Sequence, residues 1–443
     1  MSDTILALLG FATVITVIVL LLRNVTVPAL AFVSVSTITA AILVATGAFT
    51  LDEMAGFIKE GVKGVHGTAI LFIFSVLFFG VMTDAGMFDK IIGALMKKVG
   101  NNVVGVALMT CLIAIIGHLD GGGASTFLIT IPAMLPVYKR LHMRRETLLL
   151  ICVTSMGVMN LLPWGGPTIR AATALGMGDN PVAFFLPVLP AVLVGLVCVL
   201  VISAFLGAGE KKRIGAVALQ AAGNTEQELT EEQKALLRPH LFWVNIILIV
   251  AAIVSLLFSG FAPAVVFMAF YVLATVINYP SVKDSKARVD AHAKEALMMC
   301  SVLFAAGCFT GIMQGTGMIT EMASTLVSII PHTMGKFFPL IIGIIGMPAS
   351  LLFDPDSFYY GVLPVLAQTA EGFGVAGVDV GRAAILGQMT IGFPVSPLTA
   401  STFLLVGLSG VDFGEHQKKT IPLAWLVSLV MVVVAILTRG IAI

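Results

Sequence analysis

Long apolar stretches separated by short polar segments dominate the chain, and with a window of about 20 residues they predict membrane-spanning helices. The first spans are expected near residues 3–22, 27–49 and 67–87, followed by a lysine-bearing turn at 88–100. The N-terminus lacks the basic start and short core of a cleaved signal peptide, so the first stretch is expected to remain as a span. The pattern predicts an all-α polytopic membrane protein.

Two further apolar stretches are interrupted by helix breakers. The run 101–138 contains Gly121, Gly122 and Gly123 at its middle and has lysine and arginine at both ends. Because positive residues stay in the cytoplasm, both ends are placed on one side, which predicts a re-entrant hairpin. The run 147–178 contains "PWGGPT" and is predicted to be a broken helix.

The second half of the chain repeats the first at an offset of about 231 residues. "GVMTDAGM" at 80–87 aligns with "GIMQGTGM" at 311–318, and Pro163 and Thr168 align with Pro394 and Thr399. The expected organisation is a first repeat at 1–208, a cytoplasmic linker at 209–240 and a second repeat at 241–443. The second repeat is expected to hold its hairpin near 335–371 and its broken helix near 380–409.

The distribution of basic residues predicts that the second repeat is inverted. Five spans and one hairpin bring the chain to the opposite face, and this topology puts nineteen lysines and arginines in inside loops and five outside, with Arg170 within the membrane. Inverted repeats with broken helices are typical of secondary transporters. Their discontinuities meet near the midplane and form the substrate site.

Composition agrees with this class of protein. Hydrophobic residues make up 58% of the chain, charged residues 11%, and the mean hydropathy is +1.05. The net charge of +1 gives no basic field for nucleic acid, so none is expected as a partner. The five cysteines lie in apolar segments without metal-ligand spacing and are interpreted as structural. The expected location is the bacterial inner membrane, with the lipid bilayer as surroundings.

The breaks supply the candidate substrate site, because a broken helix exposes backbone N–H groups to anions and carbonyl groups to cations. The predicted substrate-binding residues are Gly121, Gly122, Ser125, Thr126, Gly165, Gly166, Pro167, Thr168, Arg170, Ser357, Ser396, Pro397, Thr399 and Ser401.

Ionisable residues at the breaks indicate a substrate that carries both negative and positive charge. Arg170 suits a carboxylate, whereas Asp120, Asp354 and Asp356 suit a metal ion or protons. A polycarboxylate with a divalent cation, or accompanied by protons, satisfies both. His118, Asp120 and Asp356 are the candidates for proton coupling. The alternatives are structural: Arg170 pairs with an aspartate, the aspartates cap helices, and His118 is an ordinary interior histidine.

Several stretches resemble the citrate-divalent metal:proton symporter family of the ion transporter superfamily. They include "LDGGGASTFLITIPAMLPVYKRL", "MNLLPWGGPTIRAATALG" and "STFLLVGLSGVDFGEHQKKTI", and the resemblance covers nearly the whole chain. The positions that match the family's pattern are Asp120, Gly121, Pro163, Gly165, Gly166, Pro167, Thr168, Arg170, Asp356, Ser396, Pro397 and Ser401.

The resemblance implies uptake of citrate with Mg2+ or Ca2+, driven by protons, without a permanently bound cofactor. It also implies a homodimer whose scaffold and transport domains move as an elevator. Two departures concern the metal: Gly122 stands where the family pattern has a second aspartate, and Asp354 is an additional carboxylate. The alternative is a symporter of another di- or tricarboxylate without metal, coupled to H+ or Na+.

Other classes of protein have less support from the sequence. No H-E-x-x-H or G-x-S-x-G motif indicates an enzyme, and no G-x-x-x-x-G-K-[ST] motif indicates an ATP-driven pump. The match "GFGVAG" at 372–377 follows no predicted strand and is interpreted as chance. A channel seldom places an arginine and carboxylates at paired helix breaks, so coupled transport is the preferred interpretation.

Overall fold

The computed structural model describes residues 2–23, 25–88, 90–91, 102–215 and 231–442. Within these ranges every regular element is helical, which confirms the predicted all-α fold. Seven of the described helices are long and apolar enough to cross a membrane. Most of the expected turn at 88–100 and residues 216–230 of the expected linker lie outside the described residues.

The helices of the first half are α1 (Asp3–Leu22), α2 (Pro28–Ala45), α3 (Leu51–Asp84), α4 (Val103–Gly117), α5 (Gly123–Arg140), α6 (Arg145–Met159), α7 (Gly166–Ala174), α8 (Pro181–Phe185) and α9 (Leu189–Ile214). A 3-10 turn at Leu186–Val188 joins the last two.

The helices of the second half are α10 (Glu231–Leu236), α11 (Phe242–Phe258), α12 (Pro263–Asn278), α13 (Val282–Gly315), α14 (Met318–Ile329), α15 (His332–Gly335), α16 (Phe338–Ala349), α17 (Leu363–Gly372), α18 (Gly377–Ile385), α19 (Ala400–Ser409) and α20 (Phe413–Leu437). A π-helical turn at Ser357–Val362 precedes α17, and 3-10 turns lie at Pro239–Leu241 and Phe393–Val395.

Helices α3 and α13 match each other in length and in spacing along the chain. Each spans 34 residues, and they start 231 positions apart and end 231 positions apart. They cross closely because glycines face each other: a Cβ on Gly61 would overlap the carbonyl of Gly307, and one on Gly311 would overlap that of Phe57. Small residues at a helix crossing let the two backbones approach.

Each half also contains an apolar helix that is too short to cross a membrane. Helix α4 has 15 residues and α16 has 12, which correspond to about 22 and 18 Å, less than the roughly 30 Å of hydrocarbon. Each is followed by a non-helical turn, at 118–122 and 350–354. Helices α6 and α7 are separated by a break at 160–165, and α18 and α19 by a break at 386–399.

Packing divides most of the described helices into two groups. One group consists of α1–α3 and α11–α14, in which α13 packs on α2 and α3. The other consists of α4–α7, α9 and α16–α20, and it contains both non-helical turns and both breaks. Contacts between the groups include α14 with α17 and α1 with the π-helical turn. All four discontinuities therefore belong to one packed unit.

Candidate functional site

At the first break, backbone carbonyl groups pack closely against the glycine that precedes α7. A Cβ at Gly165 would lie 2.5 Å from the carbonyl oxygen of Asn160 and 2.9 Å from that of Leu162, so a larger residue does not fit there. The Thr168 hydroxyl donates to the Leu161 carbonyl at 2.9 Å. Pro167 stands in the first turn of α7, where its missing N–H leaves no hydrogen bond unmade. These residues fix where the new half-helix begins.

The first hairpin tip is held by Asp120, whose carboxylate accepts from the Gly122 N–H at 2.8 Å and the Ser125 hydroxyl at 2.5 Å. Gly121 has φ +74°, a left-handed conformation that favours glycine. Its Cα faces the first break, since a Cβ there would lie 3.6 Å from the Trp164 carbonyl oxygen. The Trp164 indole in turn donates to the Leu119 carbonyl at 2.8 Å.

The second hairpin tip is built in a similar way around Asp354. Its carboxylate accepts from the N–H groups of Asp356 and Ser357, at 3.0 and 3.1 Å, and from the Ser357 hydroxyl. Asp354 therefore binds the first N–H groups of the helical turn that follows it. Asp120 lies before Gly122, the N-cap of α5, and fixes its tip through the Gly122 N–H and the Ser125 hydroxyl.

The second break, at 386–399, contains a strained residue. Met389 has φ +51°, which is uncommon for a residue with a side chain and tends to occur at functional sites. The Thr399 hydroxyl donates to the Phe393 carbonyl at 3.0 Å, and the buried Ser396 hydroxyl accepts from the Leu398 N–H at 3.2 Å. Pro397 is exposed and Ser401 is half-buried.

A chain of hydrogen bonds connects all four discontinuities. Near the first tip, the His118 ring bonds to Thr126 at 2.7 Å and to the Asn160 side-chain oxygen at 3.2 Å. The Asn160 side-chain amide donates across to the Met389 carbonyl at 3.0 Å. We name the connection from Thr126 through His118 and Asn160 to Met389 the polar chain.

Further hydrogen bonds connect Met389, the end of the polar chain, with the second hairpin. The Met389 N–H donates to the Ser350 hydroxyl at 2.8 Å, and that hydroxyl lies 3.1 Å from the side-chain oxygen of Gln388. The Tyr359 hydroxyl donates to the Gln388 carbonyl at 2.5 Å. Both hairpin tips are thus bonded to the second break, one through Asn160 and one directly.

Arg170 of α7 forms a buried ion pair with Asp356 of the second hairpin tip. The guanidinium Nε lies 2.6 Å from the carboxylate, and each side chain is 10% exposed. Gly166 makes room for this guanidinium, because a Cβ there would lie 2.7 Å from Nη1. The Nη2 group lies 3.7 Å from the sulfur of Met299 on α13, a helix of the other group.

The structure brings together some of the predicted site residues. Arg170 contacts Asp356, and Gly121 lies against Gly165. The carboxylates of Asp120, Asp354 and Asp356 do not form one metal cluster, since the described residues contain no group of three or more His, Cys, Asp or Glu side chains suited to a metal ion.

The residues predicted from the sequence did not include Asn160, Ser350, Gln388 or Met389, all of which lie at the discontinuities. One available signal was that Asn160 and Gln388 are amides flanking helix breakers in otherwise apolar segments. Their partners, however, lie up to 229 positions away and have no local signature.

Apolar helices of spanning length, paired hairpins and paired breaks that meet inside one packed unit define a multi-pass membrane transporter. Two solved structures share this fold. The YdaH transporter of Alcanivorax borkumensis matches with a TM-score of 0.58 and 12% identity over 95% of this chain and 97% of that one. MtrF of Neisseria gonorrhoeae, described among antimetabolite efflux pumps, matches at 0.57 and 13% over 89% and 83%.

Sequence comparison is more specific. Residues 4–387 match the family described as citrate transporter. A citrate transporter of Bacillus subtilis is 40% identical over 98% of both chains, and a Mg(2+)/citrate complex secondary transporter of the same organism is 36% identical over 99% of both. The chain belongs to the citrate transporter family and is a multi-pass protein of the bacterial inner membrane. The resemblance seen in the motifs is confirmed, and these relatives are transporters rather than enzymes.

We expect Asn160→Leu to destabilise the protein, because it leaves the His118 ring N–H and the Met389 carbonyl buried without partners. The expected loss is about 1–3 kcal/mol for each unpaired group, read as a lower melting temperature of the purified protein. Thr154→Val is the matched control on α6, since the buried Thr154 hydroxyl donates only to carbonyls of its own helix. Equal melting temperatures for the two variants would show that the polar chain contributes little.

Proposed function

We propose that the protein takes up citrate as a complex with a divalent cation such as Mg2+ or Ca2+, coupled to protons. The name of the Mg(2+)/citrate relative supports the metal complex. The two hairpin tips and two breaks form the substrate site, with the predicted substrate-binding residues around it. The buried pair of Arg170 and Asp356 is the observation that carries this proposal.

The ion pair limits what the site accepts. Arg170 and Asp356 neutralise each other, and a buried charge left alone is strongly destabilising. A simple anion that took Arg170 would leave Asp356 uncompensated, and a bare cation would do the same to Arg170. A metal-citrate complex offers a carboxylate to Arg170 and a cation to Asp356, so it replaces both halves of the pair.

This arrangement also suits the chemistry of the cargo. Mg2+ prefers oxygen ligands, keeps several waters and is usually bound through one or two protein carboxylates together with its substrate. Citrate supplies most of the ligands, so a single protein carboxylate at Asp356 is enough. Asp120 and Asp354 hold the hairpin tips around the cargo, and either becomes a further ligand if its cap opens.

The grouping of helices supports an elevator. The unit with both hairpins and both breaks (α4–α7, α9 and α16–α20) is the proposed transport domain, and α1–α3 with α11–α14 form the proposed scaffold. Because the whole site lies in the proposed transport domain, that domain can carry the site across the membrane as one piece. A homodimer through the scaffold is proposed from the family resemblance.

We expect the single variant Arg170→Gln to lose stability, since Asp356 would remain as a buried charge at a cost of about 3–5 kcal/mol. The double variant Arg170→Gln with Asp356→Asn should recover the melting temperature because the pair is then neutral. It should nevertheless bind citrate with Mg2+ on the order of a hundredfold more weakly or worse. Calorimetric titration with citrate measures this affinity, once in the presence of Mg2+ and once with a chelator in its place.

The matched control for the double variant is Arg382→Gln with Asp379→Asn, a second Arg–Asp pair at 3.2 Å whose two members both belong to α18. Citrate affinity should be unchanged in that control. Normal citrate affinity in the Arg170 and Asp356 double variant would show that the ion pair has a structural role only. Equal binding with and without Mg2+ in the unmodified protein would favour the metal-free polycarboxylate alternative.

His118 is the proposed proton carrier, because its two hydrogen bonds leave room for a second proton. The Asn160 amide donates to the Met389 carbonyl, so its oxygen faces His118 and accepts from the ring Nε2–H. In the neutral form the Thr126 hydroxyl then donates to Nδ1. On protonation that hydroxyl can turn to the Gly122 carbonyl, 2.8 Å away, and Nδ1–H donates to Thr126.

The protonated ring therefore keeps every partner, and the change is transmitted to Gly122, the last residue of the hairpin turn. Gly122 precedes α5, so the switch of one hydroxyl alters the hydrogen bonding at the tip that faces the substrate. This links proton uptake to the shape of the site. Asp356 remains a second candidate for proton binding when the metal is absent.

We expect His118→Gln to bind citrate with Mg2+ but to lose the dependence of uptake on an imposed pH gradient, because glutamine cannot take up a proton. Uptake of labelled citrate into proteoliposomes measures this. His416→Gln is the control, since His416 is equally buried and bonds to the Pro394 carbonyl at 2.9 Å. A gradient dependence retained in His118→Gln, or lost only in His416→Gln, would assign the proton to another group.

A further inference from the structure

Tyr360 lies in the π-helical turn that follows the second hairpin tip. Its side chain is 1% exposed, and its ring meets Phe32 of α2 edge-on with the ring centres 6.1 Å apart. Short π-helical segments often occur at functional sites, because the extra residue re-aims neighbouring side chains. Here the segment starts at Ser357, directly after Asp356.

The Tyr360 hydroxyl is buried and makes no hydrogen bond to any of the described residues. The π-helical turn packs on α7, the helix that carries Arg170, and Tyr360 follows Asp356 by four residues. A buried polar group therefore lies on the same turn as the ion pair's carboxylate and hydrogen-bonds to neither Arg170 nor Asp356.

The neighbouring tyrosine shows what this arrangement costs. Tyr359 is buried to the same degree, but its hydroxyl donates to the Gln388 carbonyl at 2.5 Å. A buried hydroxyl without a partner loses its bonds to water and gains nothing in return. Phenylalanine at position 360 would retain the ring packing against Phe32 without this penalty, so packing alone does not account for the hydroxyl.

We propose that the Tyr360 hydroxyl is a substrate contact, which donates a hydrogen bond to a carboxylate oxygen of the polycarboxylate when Arg170 turns from Asp356 to the substrate. The inference rests on the proposed function and adds a third group to the site. Arg170 supplies the positive charge, Asp356 receives the cation, and Tyr360 fixes the orientation of the bound carboxylate. A neutral donor beside the guanidinium selects a carboxylate oxygen by direction as well as by charge.

The test compares Tyr360→Phe with Tyr359→Phe in the purified full-length protein. In the absence of substrate, Tyr360→Phe should keep or raise the melting temperature because no protein hydrogen bond is lost, whereas Tyr359→Phe should lower it. With citrate and Mg2+, Tyr360→Phe should bind about ten- to a hundredfold more weakly, as expected for a lost hydrogen bond to a charged group.

Three results would contradict the role of the Tyr360 hydroxyl. Citrate affinity in Tyr360→Phe equal to that of the unmodified protein would overturn the inference and leave the proposed function standing. A lowered melting temperature in Tyr360→Phe without substrate would overturn it too, because the hydroxyl would then have a structural partner. Failure of the unmodified protein itself to bind citrate, with or without Mg2+, would overturn the proposed function and the inference together.

Discussion

A helix that ends within a membrane leaves backbone N–H and carbonyl groups that the hydrocarbon cannot satisfy, and this constraint shapes the whole interior of the protein. The two hairpin tips and two breaks meet because each provides partners for the others. Asp120 and Asp354 bind N–H groups of their own tips, while Asn160 bonds to the carbonyl and Ser350 to the N–H of Met389. The left-handed conformation of Met389 persists because both of its backbone polar groups are held.

The same constraint explains why a charged pair belongs at this place. Arg170 and Asp356 come from elements 186 positions apart in the chain, and their ion pair joins the first half-helix to the second hairpin tip. Under the proposed function, structural pairing and substrate binding are two states of this one interaction. The pair is neutral, and a cargo that contains both a carboxylate and a cation would open it without leaving either charge alone.

The sequence allowed the helical class and the family to be predicted, since both depend on long apolar runs and contiguous motifs such as "PWGGPT". It also pointed to Arg170 and the three aspartates, because charges in apolar surroundings stand out. It could not assign partners: whether Asp120, Asp354 or Asp356 pairs with Arg170 depends on how the hairpins pack. Asn160, Gln388 and Tyr360 escaped notice for the same reason, as uncharged side chains acquire a role only through distant contacts. The repeat boundaries and the roles of the site residues stay predictions.

The most direct test of the exchange between ion pair and cargo is a density map of the protein with citrate and Mg2+ bound. We expect density for the complex between the hairpin tips and the breaks, with the Arg170 guanidinium on a citrate carboxylate and Asp356 separated from Arg170 and directed to the metal. An intact Arg170–Asp356 pair in a map that shows the cargo bound elsewhere would contradict it.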